Sequence, residues 1–198
     1  MLSKPDRTGS GRPGRQGGAL LIEVLVAVLL LAFALLGLAS MQARASSIEF
    51  EALQRSQALV LVEDMVSRIN LNRANSGDYV SAGLLGAGAV ADCSGLVGAA
   101  RDLCEWSNLI RGSTETNGGA RVGSMLAARG CITRAAATTH LFVVSVTWQG
   151  VVPTGAPSGP CGADDPIYPD PALRRMVSST VCVALLRDTD PAPVVARC

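Results

Sequence analysis

The chain has 198 residues, of which 48% are hydrophobic, 17% are charged and only 4% are aromatic. This composition fits one globular domain of ordinary size and excludes a fully disordered chain. The net charge is +1, which gives no electrostatic reason to expect a nucleic-acid partner.

The charge is unevenly placed along the chain. Residues 1–18 contain four basic side chains and one acidic one, which leaves 13 basic and 15 acidic side chains, a charge of −2, for the rest. The same 18 residues are rich in Gly, Pro and Ser and have no apolar face to bury. They predict a leader peptide that is not an element of the fold.

The next segment, Ala19 to Met41, is apolar except for Glu23 and Ser40. As a helix it would reach roughly 34 Å, which is enough to cross a bilayer. The basic residues before it favour a cytoplasmic N-terminus and an exported remainder. The sequence therefore predicts one transmembrane helix at 19–41.

Two ordinary interpretations of this segment remain open. Ala43-Arg44-Ala45 resembles a small-x-small cleavage site, so a secretory signal peptide would leave a chain that begins at Ser46, although the apolar run exceeds the usual length. An uncleaved signal anchor explains the length but gives no role to Glu23.

Glu23 needs a role because a carboxylate in a membrane helix costs about 2.5 to 3.5 kcal/mol on insertion scales. A cut between Gly18 and Ala19 would place a new α-amino group four residues before Glu23, one helical turn away on the same face. The amine and the carboxylate could then neutralise each other, within one chain or between neighbours.

These residues carry a resemblance to a known class. Gly17-Gly18 followed by Ala-Leu-Leu-Ile-Glu-Val-Leu-Val-Ala resembles the class III prepilin signal of type IV pilins and type II secretion pseudopilins. The blocks after it resemble the minor pilins of the PilV type, also called type IV pilus modification proteins. They are Leu35–Gln42, Arg55–Ala58, Glu63–Met65, Arg68–Asn70 and Asn72-Arg73 up to Tyr79.

The resemblance implies that a membrane prepilin peptidase cuts after Gly18 and methylates Ala19, and that Glu23 acts in assembly. It implies a pilin-like α+β fold, with a long N-terminal helix packed on a small antiparallel sheet. The expected protein is a structural subunit, without enzymatic activity or cofactor, that takes part in type IV pilus assembly or initiation and in motility or adhesion.

The resemblance also implies a location and partners. The chain would cross the bacterial inner membrane once, with a periplasmic head, and enter the pilus fibre with the major pilin and other minor pilins. Two alternatives stay open: a minor pseudopilin of a type II secretion system, and a membrane-anchored periplasmic enzyme or binding protein in which Gly18 has no role.

The helical pattern continues beyond the membrane segment. No Gly or Pro occurs between Gly37 and Gly77, so residues 42–73 predict an amphipathic continuation that ends near Asn72. We expect one apolar face to pack on the head and Gln54 to lie elsewhere around the helix. That predicted face consists of Ala52, Leu59, Val62, Val66 and Ile69.

Residues 74–198 predict a β-rich head. Ser81–Gly98, dense in Gly, Ala and Ser, predicts a loop. Val151–Pro171 contains six prolines and predicts a second long loop. Strands are predicted from their β-branched and aromatic residues at Cys131–Arg134, His140–Gln149 and Arg174–Leu186.

Six cysteines follow the membrane segment, and their even number in an exported head favours disulfides. Six cysteines allow 15 pairings, and only Cys93 with Cys104 is favoured, because that pair closes a short loop. Zinc is the alternative, but there is no Cys-x-x-Cys and His140 is the only histidine, so no metal is expected. The disulfide candidates are Cys93, Cys104, Cys131, Cys161, Cys182 and Cys198.

No catalytic pattern stands out in the sequence. There is no Gly-x-Ser-x-Gly elbow and no phosphate-binding loop. His140 lies in a strand-like run without a context for a general base. A calcium site is a further alternative that lacks EF-hand spacing, with ligands from Asp164, Asp165, Asp170, Asp188 and Asp190.

Overall fold

The computed structural model describes residues 17–112, 116–117, 120–121, 125–135 and 140–183. The helices are α1 (Gly17–Leu71) and α2 (Gly98–Ile110), with 3-10 segments at Arg73–Tyr79 and Pro171–Leu173. The strands are β1 (Thr116–Asn117), β2 (Ala120–Arg121), β3 (Arg129–Arg134), β4 (Leu141–Gln149) and β5 (Arg174–Cys182). The chain divides into two compact units, Met1–Ser46 and Ser47–Cys198.

Helix α1 runs without a break from Gly17 to Leu71, one residue short of the predicted end at Asn72. Its sequence is rich in Ala and Leu, which favour a helix, and contains no proline, so every residue keeps the backbone N–H that a helix needs. Gly37 does not interrupt it. The helix starts two residues before Ala19, so Gly17 and Gly18 already have helical backbones.

Strands β3, β4 and β5 form an antiparallel sheet in that order. In the central strand, Val144 lies opposite Ile132 of β3 and Ser179 of β5. A separate pair, β1 with β2, was not predicted. The observed fold is therefore α+β, with a long apolar helix, a small antiparallel sheet and disulfides.

The core lies between the second half of α1, α2 and one face of the sheet. Even-numbered residues of β4, from Phe142 to Trp148, are buried in it, as the two-residue period of a strand requires. The buried positions of α1 follow spacings of four, four, three and four. They are Gln54, Ala58, Val62, Met65 and Ile69.

This buried face corrects the predicted one. Ala52 and Leu59 are exposed and Val66 is half-buried, whereas Gln54, expected elsewhere, is only 3% exposed. The error has a physical reason: apolar residues from Leu59 to Val62 surround the whole helix, so several stripes fit the sequence equally well. Only packing against the sheet selects one.

Helix α2 lies in a segment for which no element was predicted. It begins at Gly98, whose φ of 57° favours glycine, and no side chain caps its first turn. Trp106 and Ile110 of α2 pack over Gly130 of β3, where an added Cβ would lie 2.5 Å from each side chain. The helix approaches the sheet closely because position 130 has no side chain.

Two disulfides connect described cysteines. Cys93 pairs with Cys104, the pair that the short loop favours, and Cys131 pairs with Cys161. Cys182 is also disulfide-bonded, and Cys198 lies outside the described residues.

Candidate functional site

The first candidate site is the apolar part of α1. Every residue from Leu20 to Met41 is exposed, with Leu21 at 69% and Met41 at 71%. This helix is long and apolar enough to cross a membrane, by length and composition. Because soluble monomers rarely expose such a large continuous apolar surface, it needs a membrane, other chains or both to cover it.

Glu23 is the only ionisable residue between Ala19 and Met41. It lies in the second turn of the predicted mature helix and is exposed among exposed apolar neighbours. Its carboxylate has no hydrogen bond or ion pair within the described part of the chain. The position is therefore open to a cationic partner from outside.

The predicted cleavage site lies at the start of the same helix. Gly18 and Ala19 have helical backbones, and residues 1–16 of the predicted leader lie outside the described residues. Because a protease binds its substrate in a locally extended form, the predicted cut would require this first turn to unwind. Two adjacent glycines lower the cost of unwinding, at about 1 kcal/mol each relative to alanine.

A cluster of charges joins α1 to α2. Arg68 of α1 bonds Asp64 at 2.9 Å in its own helix, and Asp102 at 3.1 Å and Glu105 at 2.9 Å in α2. Burial opposes the charge of Arg68, but the hydrogen bonds and charges of these carboxylates outweigh burial and raise its pKa. The Arg68 hydrogen bond, with that of Arg101, lowers the pKa of Glu105.

Tyr79 extends this cluster. Its hydroxyl donates to Asp102 and accepts from the side-chain amide of Asn72 at 3.2 Å. Burial, with the hydrogen bond to Asp102, raises the pKa of Tyr79 to about 12. The sequence analysis missed this cluster, for which the Asp64–Arg68 spacing of four is the only local signal.

A second polar contact ties α1 to the proline-rich loop. One oxygen of Glu51 accepts from the backbone N–H groups of Val151 at 3.2 Å and Val152 at 3.4 Å, and from Arg175 at 3.2 Å. Glu51 is a hundred positions from the loop it holds, and no sequence signal identifies it. Its role is structural.

The remaining predicted candidates do not come together. His140 precedes β4, and its carbonyl accepts from Val183 at 2.9 Å. Asp165 is paired with Arg129 at 2.8 Å, and Asp170 accepts from Ala172 in a turn. Asp188 and Asp190 lie outside the described residues, within which no group of three metal-ligating side chains occurs.

Comparison with known proteins does not assign this chain to a family. No protein-family model, curated protein or solved structure matches this chain.

Proposed function

We propose that the chain is a minor pilin of the PilV type, cut after Gly18, held in the inner membrane by the apolar part of α1, and incorporated into a type IV pilus or its initiation complex. The observation that carries this proposal is the single carboxylate of Glu23 in an exposed apolar helix, five residues after Gly18. The α+β head with its disulfides is compatible with export to the periplasm.

The chemistry of assembly follows from that carboxylate. Cleavage exposes an α-amino group at Ala19, which is cationic at neutral pH, and Glu23 of a neighbouring chain is its complement. In an apolar bundle either charge alone is costly, so pairing favours one register of the helices. Prepilin peptidase, the major pilin and other minor pilins are the partners on this account.

A matched pair of substitutions tests the role of Glu23. Glu23→Gln keeps the shape and removes the charge, while Ser40→Ala changes the only other polar residue of the segment. We expect Glu23→Gln to lower the amount of chain in sheared filaments by about tenfold, the effect of roughly 1.4 kcal/mol, while the membrane content stays unchanged. Normal incorporation of Glu23→Gln alongside Ser40→Ala would remove the register role.

The secretion pseudopilus is the second candidate, because the signal around Gly18 serves both systems. The blocks Leu35–Gln42 and Arg55–Asn72 favour the pilus. Crosslinking of the full chain in cells, followed by affinity purification, distinguishes the two. We expect major pilin among the products, and recovery of secretion components without major pilin would support the pseudopilus instead.

A further inference from the structure

The segment 47–57 of α1 buries very little against the head. All of its residues are described, and among them Gln54 alone is buried, Ser47 and Glu51 are half-buried and the other eight are exposed. Apolar burial, the main driving force for packing, therefore holds α1 to the head only beyond this segment. The buried apolar residues of α1 are Ala58, Val62, Met65 and Ile69.

The one buried side chain of the segment 47–57 is polar and has no partner. Gln54 is 3% exposed, and neither the nitrogen nor the oxygen of its amide has a hydrogen bond with any described residue. A primary amide supplies two donors and two acceptor lone pairs. Because water satisfies all of them, leaving the amide buried and unpaired favours a state in which it reaches water.

A second unpaired group lies at the same end of the core. The indole N–H of Trp148 in β4 has no hydrogen-bond partner among the described residues, although Trp148 is only 3% exposed. Trp148 lines a cavity of about 380 Å³ together with Glu51 and Arg55, which precede and follow Gln54 on α1. Here the helix and the sheet are therefore separated by a gap and are not closely packed.

One carboxylate holds the segment 47–57 to the head. The Glu51 contact reaches Arg175 and two backbone N–H groups of the proline-rich loop through a single carboxylate oxygen, at 3.2 to 3.4 Å. The Glu51 side chain is 30% exposed. Water competes for the same hydrogen bonds, so the contact adds little to stability.

Ser56 lies between the loosely held and the tightly packed parts of α1. Its hydroxyl donates to the carbonyl of Leu53 at 2.8 Å. A serine that bonds a carbonyl of the preceding turn weakens a helix and often bends it. Ser56 therefore favours bending of α1 between Gln54 and Ala58.

We propose that the segment 47–57 opens reversibly from the head, with α1 bending near Ser56 and the Glu51 contact holding the closed state. Opening exposes part of the Trp148 ring, but it hydrates the Gln54 amide and the Trp148 N–H. It also leaves every buried apolar side chain of α1 in place, so the open state costs little free energy. The proposal does not depend on the function proposed above, since it uses only contacts within residues 47–183.

Hydroxyl-radical footprinting of the full chain in nanodiscs tests this opening, with mass spectrometry resolving the two tryptophans. Trp106 is the internal reference, because it is buried and donates to the carbonyl of Leu61 at 2.8 Å, beyond the segment that opens. A permanently closed segment predicts equal protection of Trp106 and Trp148, which are 0% and 3% exposed. We expect Trp148 to be oxidised roughly tenfold faster than Trp106, and equal protection would overturn the proposal.

A substitution at Gln54 identifies the cause of the opening. Gln54→Met keeps the length of the side chain and removes the amide, so it should favour the closed state and slow Trp148 oxidation by roughly fivefold. Gln57→Met, at an exposed position of the same segment, is the matched control and should leave the rate unchanged. An unchanged or faster rate in Gln54→Met, the result if a buried water already satisfied the amide, would contradict the proposal.

A second pair of variants tests the Glu51 contact. Glu51→Gln loses the charge that binds Arg175, so Trp148 should be oxidised about 2- to 5-fold faster. Glu49→Gln, at an exposed position in the same turn, is the control and should match the wild type. Far-UV circular dichroism and the protection of Trp106 verify that each variant is folded. Equal rates in the two variants would contradict the role of Glu51 in holding the closed state.

Discussion

At the scale of single residues, Arg68 is the clearest example of a side chain whose contribution to folding stability depends on its surroundings. It satisfies three carboxylates from two helices, and its side chain is 22% exposed. Exposed ion pairs contribute little, whereas partly buried charges that lose their partner cost much more. Arg68 is a partly buried charge of this costly kind.

Arg68→Met should therefore lower the free energy of unfolding by about 1 to 3 kcal/mol, because Asp102 and Asp64 lose their cation. Arg101→Met is the control, since Glu105 is the one ion-pair partner of Arg101 among the described residues and the Arg101 side chain is 57% exposed, and it should cost less than about 1 kcal/mol. Urea unfolding of both variants measures the difference. Equal effects would mean that the interhelical cluster adds nothing beyond a surface pair.

Tyr79 gives a pH-dependent prediction at the same scale. Its pKa is raised to about 12 by burial and by Asp102, so the folded state favours the protonated phenol. The resulting stability is fully present below pH 10 and is lost as the pH rises towards 12. The difference between phenolate absorbance titrations of the wild type and of Tyr79→Phe isolates this group. Titration of Tyr79 near pH 10 would contradict its burial and its hydrogen bond to Asp102.

At the scale of elements, the sequence predicts those helices and strands that a local residue pattern determines. The end of α1 and the positions of β3, β4 and β5 follow from runs without Gly or Pro and from β-branched residues. Helix α2 was missed because it has no capping residue, although its apolar positions against the core recur at helical spacing. Those positions are Ala99, Trp106 and Ile110, which are buried, and Leu103, which is partly buried.

The contact of α2 with the sheet predicts a sharp effect at Gly130. Gly130→Ala places a Cβ 2.5 Å from Trp106 and Ile110, and we expect a loss of about 1 to 3 kcal/mol in unfolding free energy from overpacking. Gly83→Ala is the control, as its Cβ would meet no atom within 4 Å. Equal stability of the two variants would show that α2 moves away freely.

The two described disulfides differ in the length of chain that they close. Their partners are 30 residues apart for Cys131–Cys161 and 11 for Cys93–Cys104. Loop-closure entropy gives the longer loop about 0.9 kcal/mol more stabilisation. Paired Cys→Ala variants measured by urea unfolding test this order, and a larger loss for the shorter loop would contradict it.

At the scale of the whole molecule, the candidate site was predictable where it depends on local sequence and not where it depends on folding. The apolar segment, Glu23 and Gly18 are visible in consecutive residues. The Arg68 cluster and the Glu51 contact join residues from distant parts of the chain, and only the packed structure reveals them.

Processing at Gly18 is the step on which the proposed function depends most. The direct measurement is the intact mass and N-terminal sequence of the membrane-extracted protein from cells with and without the prepilin peptidase. We expect a mature chain that begins at Ala19, with a methylated amine, only when the peptidase is present. An intact leader in both strains, or a chain that begins at Ser46, would contradict it.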